Sequence, residues 1–147
     1  MQSVITKITI LFILTIIFLT IPYCSKDDRI PYVHVNHHLN LSNPEFNNLI
    51  IPGNYEYLEN IGVKGVIIYC AYAGHYNAYE RNCPYKPYSE GAFLRVDSTE
   101  TFMVCKSCDS KFLLFDGSIV EGPSKYPVLQ YETLVEYEVL YIYNHYY

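Results

Sequence analysis

The 147-residue chain has no tryptophan and only two methionines, and charged residues make up 17% of it. Ten Lys and Arg against fifteen Asp and Glu leave a formal charge of −5. No basic stripe runs along the chain, which excludes the electrostatic footprint of a nucleic-acid binder. No HExxH, no phosphate loop and no Ser-His-Asp order occurs, and the carboxylates are scattered without an obvious acid–base pair. After residue 24 no helical period stands out, and there is no internal repeat or low-complexity segment. Half the residues are hydrophobic, so a core is available and disorder is excluded. Aromatics are abundant but skewed, with seventeen Tyr and seven Phe, residues that suit strands and half-wet faces.

The first 23 residues carry one charge, Lys7, and residues 8–21 form 14 uncharged positions dominated by Ile, Leu and Phe. That is short for a membrane span and suits the apolar region of a signal peptide. Cys24-Ser25-Lys26-Asp27-Asp28 follows directly. This arrangement resembles a bacterial lipoprotein signal, in which the cysteine becomes the first mature residue and carries the lipids. The Lys-Asp-Asp behind it resembles the export tag of some surface lipoproteins. Tyr23 before the cleavage point departs from the small residue usual there. The alternative is an uncleaved N-terminal anchor. The expected organisation is a signal peptide at 1–23, a lipidated Cys24 with its tether at 24–31, and a β domain at 32–147. The lipid would hold the protein to the outer membrane of the cell envelope.

In the mature part, residues 32–41 alternate, with Val33, Val35, Leu39 and Leu41 on one face and His34, Asn36, His38 and Asn40 on the other. Residues 65–69 are a buried type of strand, and 78–81 lead as a short strand into Cys83. Residues 93–96 and 101–104 are set to pair around an Asp97-Ser98-Thr99 turn. Residues 112–115 precede the turn dipeptide Asp116-Gly117. Residues 130–144 alternate as one long strand or as a hairpin turning near Glu136-Tyr137-Glu138. Many short strands with frequent turns indicate an all-β antiparallel sandwich or small barrel. His34, His37 and His38 have a suggestive metal spacing, but a strand points His37 away from the other two, so a solvated face is expected. Cys70 follows an apolar strand and is expected in the core. His75 and His145 lie in a turn and the tail and are given no role.

The remaining cysteines form a pattern: Cys83-Pro84-Tyr85, then Cys105-Lys106-Ser107-Cys108, with Phe112, Gly117 and Gly122-Pro123-Ser124 behind them. The frame, from about residue 65 to 131, resembles a Rieske iron–sulfur domain, which presents Cys-x-His from one loop and Cys-x-x-His from a second. The resemblance implies a small antiparallel fold with a cluster-binding subdomain built on two Cys loops. In it Cys83 and Cys105 keep the thiolate positions, while Tyr85 and Cys108 stand where the two histidines belong. Rieske centres need those histidines on their second iron.

Four uses of the site follow from the resemblance. The leading expectation is a disulfide of Cys83 with Cys105 or Cys108 in place of the cluster, favoured by export and worth roughly 3 kcal/mol. The chain would then be a non-catalytic structural or binding module. The alternative is an electron-transfer protein holding a 2Fe–2S cluster on Cys83, Cys105, Cys108 and Tyr85 and serving a protein redox partner. Zinc on the three cysteines and a redox-active Cys105/Cys108 pair come after these.

Overall fold

The computed structural model describes residues 29–145. The leader 1–23, the lipidation candidate Cys24 and the tether 25–28 lie outside them. Among the described residues no helix is long and apolar enough to cross a membrane.

The fold is all-β, in two antiparallel sheets. The larger contains β1 (Asn36–Asn40), β2 (Tyr55–Leu58), β3 (Val66–Tyr72), β4 (His75–Glu80), β9 (Gln130–Glu136) and β10 (Val139–Tyr143), in the order β1-β10-β9-β4-β3-β2. The smaller contains β5 (Leu94–Val96), β6 (Phe102–Cys105), β7 (Lys111–Leu113) and β8 (Ile119–Glu121), in sequential order. It is inserted between β4 and β9, and an isolated bridge between Asn82 and Phe93 narrows its entrance.

β3 explains why the chain makes two cores. Its apolar run is buried on both sides, as an unbroken hydrophobic strand must be. Val66, Ile68 and Cys70 join one cluster with Val35, Leu39, Leu49, Leu140 and Ile142. Ile67 points the other way, with Tyr79 of β4, into a second cluster with Leu94, Met103, Phe112 and Leu114. Cys83 and Cys105 belong to that second cluster. Cys70 is in the first, a buried small hydrophobe as expected.

The strand expected over 32–41 is realised only at β1, with Leu39 buried within it and Val35 and Leu41 buried at its flanks, although Val33 is exposed. Residues 93–96 and 101–104 pair as expected, Leu94 opposite Cys105 and Val96 opposite Met103. The Asp97 carboxylate organises that turn by accepting the Thr99 hydroxyl and the Phe102 N–H. The tail is a hairpin. Tyr137 and Glu138 both take left-handed φ, 48° and 64°. This two-residue turn reverses the inward parity, so Tyr131 faces in on β9 while Leu140 and Ile142 face in on β10.

Among the described residues the structure adds one helical element, a 3-10 helix at Pro44–Ile50. Pro44 opens it with a preset φ, and Leu49 plugs into the first core.

Candidate metal centre

Two loops of the small sheet carry the site. The first leaves β4 and runs from Arg81 to Phe93. It is folded on itself, with the Cys83 N–H donating to the Ala92 carbonyl at 3.1 Å and Ala92 N–H to the Ser89 carbonyl. Lys64, on the loop before β3, gathers the same segment. Its ammonium donates to the carbonyls of Ala92 at 2.9 Å and Ser89 at 3.1 Å. The second loop joins β6 to β7. Cys105 ends β6, and the turn closes with Asp109 N–H on the Cys105 carbonyl at 3.0 Å, Asp109 having a φ of 56°. Ser107 packs against Gly91, where a Cβ would come within 3.2 Å of the serine Cβ, so the two loops touch. Behind them Gly122 presses on loop two. Its φ is 105°, and a Cβ there would lie 2.5 Å from the Ser110 Cα. The next turn donates Ser124 N–H to the Ser110 hydroxyl at 3.2 Å.

The result is convergence. The Cys83, Cys105 and Cys108 sulfurs all lie within 4.8 Å of one another. Cys83 and Cys108 approach to 3.7 Å. Cys83 and Cys105 are fully buried, and Cys108 is half-buried at the rim.

All four described cysteines are free thiols. The expected bond from Cys83 to Cys105 or Cys108 is absent in this structure, with the Cys83 and Cys108 sulfurs 3.7 Å apart. Each sulfur also has a donor or acceptor on its own loop. The Ser107 hydroxyl sits 3.4 Å from Cys105, and the Cys108 thiol donates to Ser110 Oγ at 3.2 Å. Backbone N–H groups of Tyr85 and Ser107 face Cys83 and Cys105.

The electrostatics is that of a shared proton. The Cys83 thiol donates to Cys105, and with the Ser107 hydroxyl and N–H this holds the Cys105 thiol down at about 5 despite burial. The same donation and burial push Cys83 up. Three soft sulfurs with N–H and O–H donors aimed at them are a donor set for a thiophilic metal. They do not reproduce the ligation of a Rieske centre, which needs two imidazoles. Tyr85 brings its backbone N–H to Cys83, while its half-buried ring packs against the second core.

No known family model matches this chain, and no curated protein matches it. Among solved structures it is similar to a chain of a complex of reduced oxygenase and oxidized ferredoxin in carbazole 1,9a-dioxygenase. That likeness has 19% identity and a TM-score of 0.42, over 64% of this chain and 83% of that one. A likeness of this size identifies neither an activity nor a cofactor.

The three histidines near the N-terminus do not assemble. His34 and His38 are exposed, and the His37 and His38 rings stand 6.3 Å apart. Sequence reading missed Lys64, Ser107 and Ser110, because a serine beside a cysteine, or a lysine far from it in sequence, carries no signal until the loops are folded.

Proposed function

We propose that this chain is a lipid-anchored envelope protein, without catalysis of its own, whose Rieske-like β domain holds a thiolate-ligated metal centre and passes electrons to a protein partner. The observation that carries this reading is the meeting of three free sulfurs from two loops within 4.8 Å. The two-loop frame that resembles a Rieske domain supports it, and so does the rim position of Cys108, since an electron carrier needs its centre close to a surface. Anchoring through Cys24 in the outer membrane rests on the leader pattern.

The residues divide the work. Cys83, Cys105 and Cys108 hold the metal. The Tyr85 and Ser107 N–H groups and the Ser107 and Ser110 hydroxyls offset thiolate charge, and Lys64 keeps the first loop folded. A thiolate-bound iron supplies one-electron transfer. The test is iron content and a visible spectrum on the full chain, purified in detergent without oxygen. Iron with a thiolate-to-metal absorption, bleached by Cys105→Ala, is expected. Colourless, metal-free protein overturns the reading.

A second reading keeps the scaffold without the metal. Export to an oxidising compartment and the 3.7 Å approach of Cys83 to Cys108 favour a disulfide there, in a structural or binding module. A thiol count below the number of cysteines in protein purified in air, unchanged when oxygen is excluded, would establish it.

A further inference from the structure

We propose that Cys83, Cys105 and Cys108 close on a single metal ion, as three faces of one tetrahedral site, and not on a two-iron cluster. The proposal rests on the metal-centre reading above and specifies its nuclearity. The argument is geometric. Metal–thiolate bonds of about 2.3 Å at the tetrahedral angle set neighbouring sulfurs about 3.8 Å apart. Cys83 and Cys108 stand at 3.7 Å, and no pair of the three exceeds 4.8 Å. In the two-iron arrangement that the sequence frame implies, Cys83 and Cys105 share one iron while Cys108 replaces a ligand of the other. Ligands of opposite irons are held apart by the bridged pair between them. The pair that should then be widest is instead at one-ion distance.

The loops agree with this. Each buried cysteine faces the N–H of the residue two positions on, Tyr85 for Cys83 and Ser107 for Cys105. Cys108 has the Ser110 hydroxyl, itself pinned by Ser124 N–H. At Gly91 the first loop comes close against Ser107 of the second. A divalent ion entering here displaces the remaining thiol protons of the three cysteines to solvent and leaves a site of net charge −1, which those donors face. Three sulfurs leave a fourth tetrahedral position for a water or an exchangeable ligand, as in zinc sites with three protein ligands.

The experiment is titration of the reduced full chain with Co²⁺ alone and with Zn²⁺ alone, beside iron and acid-labile sulfide analysis of anaerobically isolated protein. The expected result has three parts. One ion binds per chain, no sulfide is present, and the Co²⁺ form has the visible bands of a tetrahedral thiolate site. Cys108→Ser should lower Co²⁺ affinity tenfold or more and the sulfur-to-metal absorption by about a third. Cys70→Ala, in the other core, should leave both unchanged and controls for folding. Two irons and two sulfides per chain would overturn the single-ion proposal and leave the metal-centre reading standing. Failure of the reduced, folded chain to bind Co²⁺, Zn²⁺ or iron would overturn both.

Discussion

The two cores are built from different materials. The first closes a six-stranded sheet mainly with aliphatic and aromatic side chains from β1, β3, β4, β9 and β10, Leu140 and Ile142 among them, with Leu49 of the 3-10 helix and the lone thiol of Cys70. The second serves four strands, three of them only three residues long. Two of its buried members are the cysteines that reach the site. Short strands bury little surface, and a thiol fills less volume than a leucine. The small sheet therefore leans on β3 and β4 of the large one and on whatever joins its two loops. A stable platform carries a subdomain whose order depends on chemistry at its tip.

The largest blow to that arrangement is Phe112→Ala. Phe112 is fully buried at the centre of the second core, and its removal should cost about 3–5 kcal/mol. Amide exchange should show the loss concentrated in β5 to β8, and uniform loss over both sheets would refute the division.

Glu80 joins the two regions. Its buried carboxylate accepts the Val63, Lys64 and Asn82 N–H groups and the Tyr131 hydroxyl, at 2.7–3.0 Å. Glu80→Gln keeps the shape but turns an NH₂ toward backbone N–H groups that only donate. A loss of about 2–4 kcal/mol follows, with exchange rising in both sheets. An effect below about 1 kcal/mol in urea unfolding would mean that the cage has slack.

Metal should stabilise one region only. At a free ion concentration a hundredfold above Kd, binding contributes about 2.7 kcal/mol. Its removal by chelator should expose amides of β6 and β7 while leaving β9 and β10 protected. A milder probe is Lys64→Met, which removes the cation gathering the Ser89 and Ala92 carbonyls. It should cost about 1–2 kcal/mol and weaken Co²⁺ binding without changing the number of sulfurs bound.

What the sequence made legible follows the same division. Period-two alternation placed β1 and the tail, and the Asp97 turn placed the β5–β6 pair, because those signals are local. The three cysteines were legible as a group because their spacing and the Gly122-Pro123 frame are linear features. Whether their sulfurs bond or merely meet was not legible. That depends on Ser107, Ser110 and Tyr85 N–H groups set by loop closure, and on a glycine contact between residues 91 and 107. β2 and β8 were missed for a related reason. β2 is only half-buried and β8 exposed throughout, so neither writes a hydrophobic period into the chain.

The β9–β10 turn offers the smallest and cleanest perturbation of the platform. Tyr137 is 98% exposed, touches no core, and holds a φ of 48°. A left-handed backbone costs an L-residue with a bulky Cβ substituent, and asparagine tolerates it best among side chains other than glycine. Paired strands twist to suit two successive positive φ values, so Tyr137 is strained by the same geometry that lets Leu140 pair with Val135. Tyr137→Asn relieves that strain without touching the neighbouring Glu138, whose carbonyl receives Leu41 N–H at 2.8 Å and whose carboxylate receives the Ser42 hydroxyl. The variant should gain about 0.5–1 kcal/mol in urea unfolding. Because the turn lies on the first core alone, Co²⁺ affinity should not move. If it does, the two regions are coupled through β9 and β4 more tightly than their separate cores suggest.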